Sequence, residues 1–62
     1  MTPDQRRYHA AIRDQLRALA DELARQARPE EPPARAQARR DLIAYYRRAV
    51  EQETQILEGA TC

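Results

Sequence analysis

Apolar side chains recur along this chain at helical spacing, in two blocks. In the first, Tyr8, Ile12, Leu16, Leu19 and Leu23 follow one another at intervals of four, four, three and four. That rhythm keeps them on one narrow stripe of an α-helix. Written as heptads, His9, Leu16 and Leu23 take position a, and Ile12, Leu19 and Gln26 take position d. Alanines at 20, 24 and 27 allow a neighbouring helix to approach closely. The second block runs from Leu42 to Leu57. Turning ~100° per residue gathers Leu42, Tyr45, Tyr46, Ala49, Val50, Ile56 and Leu57 on one face, with Ile43 at its margin. That face spans roughly 160°, against the ~100° usual for a surface helix.

The punctuation between and around the blocks sets the element boundaries. Thr2 is placed to cap a helix, Pro3 suits its first position, Gln5 can close a capping box, and Asp4 sits at the positive helix end. Nothing inside the first block breaks a helix until the segment from Arg28 to Pro33, which holds three prolines. Pro33 can open the second helix, and Gly59 is placed to end it as a left-handed cap. The expected fold is all-α: an antiparallel two-helix hairpin, about 3–28 and 33–58, joined by a proline-rich turn. The tail from Ala60 to Cys62 is expected to fray. A straight interdomain linker is the alternative reading of the prolines.

Length sharpens what the wide second face implies. A chain of 62 residues holds one domain, 1–62, and two rods enclose little core. The narrow stripe of the first helix covers only part of the second helix's face, so the remainder needs another partner. The simplest closure is a homodimer of hairpins, a four-helix bundle. The expected protein interface is Leu42, Tyr45, Tyr46, Ala49, Val50, Ile56 and Leu57. Tyr45 and Tyr46 are adjacent, so one packs within the bundle and the other anchors the interface.

Composition narrows the function classes. Cys62 is the only cysteine, so no disulfide forms within one chain, and zinc-ligand spacing is absent. An intermolecular disulfide through Cys62 is conceivable and is treated as incidental. The apolar runs are too short for a bilayer, and residues 1–8 lack the apolar centre of a secretory signal. No membrane association is expected, and the cytoplasm is the expected location. All eleven basic residues are Arg, balanced by 10 acidic residues to a net charge of +1. That balance argues against a protein that coats nucleic acid, though not against a local patch.

Three groups of residues could carry chemistry. Glu53 falls near the centre of the second helix's apolar face, where an unpaired carboxylate is costly. In a hairpin turning near residue 31 it lies level with Tyr8 and His9. Tyr8, His9 and Glu53 are therefore a candidate polar cluster: a ligand site or, as the weightier reading, a layer that fixes helix register. Arg35 and Arg39 also fall on the apolar side, and Arg39 lies level with Glu22, which suggests a cross-helix ion pair. Arg39, Arg40, Arg47 and Arg48 are candidate anion or nucleic-acid contacts. No phosphate-cradling loop, nucleophile elbow or di-iron pattern is present. No catalytic residue, cofactor or metal is expected. The chain reads as a small non-enzymatic interaction or regulatory protein working through helix–helix association, with a copy of itself or another protein as partner. A dimeric nucleic-acid-binding regulator is the alternative.

Overall fold

The computed structural model describes residues 1–59. Two α-helices pack against each other, α1 over Pro3–Arg25 and α2 over Pro33–Gly59. The expectations for Ala60 and Cys62 lie outside the described residues.

The start of α1 follows its local chemistry. Thr2 is extended, the Gln5 backbone N–H donates to Thr2 Oγ1 (3.1 Å), and the Thr2 N–H donates to Gln5 Oε1 (3.0 Å). Two backbone donors that a helix start leaves free are thereby satisfied. At the other end α1 stops three residues before the expected position 28. The Gln26 N–H is shared between the carbonyls of Glu22 and Leu23, both at 3.2 Å, so the last turn tightens. Pro29 then holds Arg28 away from helical geometry. The Glu31 N–H donates to the Arg28 carbonyl (3.2 Å), closing a turn over Pro29 and Glu30. Pro33 takes the first position of α2, and the Ala36 N–H donates to the Pro32 carbonyl (3.0 Å).

Two further expectations are corrected here. Gly59 is not a left-handed cap: α2 runs through it and no described glycine has positive φ. A left-handed end is held by contacts across the cap, and a Cβ built on Gly59 would meet nothing within 4 Å. In α1, Leu19 does not share the buried stripe. It is 43% exposed, whereas Ala20 is 2% exposed. A straight helix drifts ~20° per heptad, which carries successive d positions out of the contact and successive e positions into it.

The molecule is a rod. Its extents are 47 × 14 × 10 Å. Its radius of gyration is 14.7 Å, where about 10–11 Å is typical of a globular chain this long. Among the described residues, only Ala20 and Leu57 are buried hydrophobics. The hairpin has a seam in place of an enclosed core.

Candidate interaction surface

The seam is read from the residues of α2 that lose solvent. Ala36, Arg39, Ile43, Tyr46, Val50, Glu53 and Leu57 are half-buried or buried, at alternating intervals of three and four, with Ala49 and Thr54 half-buried beside them. The alternating set takes the a and d positions of an antiparallel coiled coil. Opposite them on α1 lie His9, Ile12, Leu16, Ala20 and Leu23. The seam is centred ~60° away from the middle of the broad apolar face of α2. Ile43, placed at the margin by sequence, packs in the seam. Tyr46, Val50 and Leu57 join it, while Leu42, Tyr45 and Ile56 stay exposed. The two tyrosines diverge, their ring centroids 5.8 Å apart at 66°.

Two polar contacts tie the hairpin, one at each end of the seam. At the open end His9 Nδ1 donates to Glu53 Oε2 at 2.6 Å. The two side chains keep 26% and 19% of their exposure. Tyr8 touches the pair only through the His9 ring, edge to face at 5.5 Å, and is itself exposed. At the turn, Arg39 Nη1 donates to Glu31 Oε2, with side-chain exposures of 12% and 11%. This corrects the expected Arg39–Glu22 pair: Glu22 instead meets Arg25 one turn along the same helix, at 3.5 Å. The turn brings Glu31 back to Arg39 at the start of α2. Sequence spacing alone does not show such a reversal. Arg39 and Glu53 both stand at d; the Glu53 contact ties its d position to α1 and the Arg39 contact ties its own to the turn. No described buried side-chain nitrogen or oxygen lacks a partner.

The flanks of the seam differ in chemistry. On one side Leu23 and Gln26 of α1 share a groove with Ala38, Arg39 and Leu42 of α2. The same side carries Tyr8 and Leu19 from α1 and Tyr45 and Ile56 from α2, by helical phase. Apart from Met1, these four residues and Leu42 are all the exposed large hydrophobics among the described residues. On the other side Arg17, Ala20 and Asp21 of α1 share a shallow groove with Arg47 and Val50 of α2. Next to it stand Arg40, Arg48 and Glu51. Arg13 there holds Asp14 through Nε and Nη2, both at 3.2 Å, and Arg40 donates to Gln37 Oε1 at 3.0 Å. Arg39, grouped with Arg40, Arg47 and Arg48 by sequence, is held in its ion pair and does not face solvent with them.

The polar end contacts offer little chemistry of their own. His9 with Glu53 is one imidazole and one carboxylate. No group of three His, Cys, Asp or Glu side chains able to hold a metal occurs among the described residues. No described helix is long and apolar enough to cross a membrane. The role of Leu19 was hidden in sequence, because its heptad position assigned it to the stripe. The signal that finds it is the phase drift of a straight helix. No protein-family model, curated protein or solved structure matches the chain.

Proposed function

We propose that this chain is a small non-enzymatic interaction or regulatory protein that works through helix–helix association, with a second copy of itself as the partner and a four-helix bundle as the assembled form. One observation carries the reading: among the described residues, every exposed large hydrophobic beyond Met1 sits on a single flank of the hairpin. Scattered exposed apolar residues are ordinary, whereas a continuous set on one side is an association surface. The accessible surface supports a copy of the chain as occupant. It is 4959 Å², against about 4100 Å² for a folded monomer of 7.2 kDa. The excess of about 800 Å² matches what one partner buries in a specific interface of standard size. A patch used against itself closes at two copies and leaves no sticky end.

Nucleic-acid binding at Arg40, Arg47 and Arg48 is the weaker reading. Those guanidiniums share their side of the molecule with Asp14, Asp21 and Glu51, which reduce its field. Sedimentation equilibrium across the micromolar range tests the proposal. The expected species has twice the mass of the 7.2 kDa chain. A stable, helical monomer throughout that range would overturn self-association.

A further inference from the structure

We draw no further inference here: the strongest candidate, the groove at the turn end of the hairpin lined by Leu23, Ala38 and Leu42 with Arg28 and Arg35, carries nothing, because Leu42 belongs to the flank already described, Glu30 lines the groove alongside those two guanidiniums, and nothing in the structure shows what covers it.

Discussion

Along one side of the seam, Tyr8, Leu19, Leu42, Tyr45 and Ile56 face water. Along the other, Arg13, Arg17, Arg40, Arg47 and Arg48 stand among Asp14, Asp21 and Glu51. Both sides flank the same two helices and the same row of half-buried residues. Neither is needed to close the hairpin, because the seam does that with Ile43, Tyr46, Val50 and Leu57 against the α1 stripe. The difference therefore concerns what the hairpin meets. Water solvates the arginine side at little cost. It does not solvate the apolar side, where covering five large side chains gains roughly 1.5–3 kcal/mol for each one fully buried, before the entropy cost of association.

The strongest way to break the comparison is to put charge on the apolar side. Leu42→Glu with Ile56→Glu desolvates two carboxylates if the dimer forms, or else keeps it from forming. The cost is on the order of 3–5 kcal/mol in association, a rise in dimer dissociation constant of at least ~100-fold. Analytical ultracentrifugation reads it. If the double variant dimerises like the wild type, the apolar side is not the interface.

A smaller effect separates the seam from its flank. Ala20 is buried in the seam at 2% exposure, so Ala20→Leu should lower stability by about 1–3 kcal/mol through overpacking. Leu19→Ala, one residue away, should leave the helical content of the hairpin intact and weaken the dimer instead. Thermal unfolding followed by circular dichroism must be compared at one fixed chain concentration, since association and stability are linked. Equal effects from the two changes would mean that seam and flank are not distinct surfaces.

These two residues also show what sequence reveals and what it does not. The hairpin is legible because its signals are local: Thr2 and Gln5 cap a helix, prolines interrupt it, and Pro33 restarts one. The breadth of the α2 face is legible because it depends only on spacing. Which part of that face α1 covers is not, since it depends on the roll of one helix about its axis. A ~20° drift per heptad exchanges Leu19 for Ala20. Two side-chain contacts, His9 to Glu53 and Arg39 to Glu31, tie α2 at the two ends of the seam. The level of His9 with Glu53 follows from counting along a hairpin. The Arg39–Glu31 pair does not, because it depends on the path of a turn built from prolines.

Those two pairs contribute unequally to stability. Glu31→Ala leaves a largely covered guanidinium without its carboxylate and should cost about 1–3 kcal/mol. Glu53→Ala should cost less, about 0.5–1.5 kcal/mol, because His9 and Glu53 keep more contact with water. A double-mutant cycle of His9→Ala and Glu53→Ala isolates the open-end coupling. A coupling near zero would assign the open-end alignment of α2 to apolar packing, and the turn pair would then be the polar register device that remains.

The smallest change is expected on the arginine side. Arg40→Gln with Arg47→Gln removes two cations that make no ion pair among the described residues. The dimer constant should move by less than about threefold, in line with the small effects of substitution at exposed positions. This pair also tests the nucleic-acid reading. Affinity for phosphates scales with the number neutralised together, and the slope against salt reports that number. With carboxylates among them, few of these arginines can act at once, so no mobility shift of RNA or duplex DNA is expected at physiological salt. A salt-dependent shift that the double variant loses would give the arginine side a binding role. The apolar side would then be the device that pairs two such surfaces, since an isologous dimer presents each of them twice.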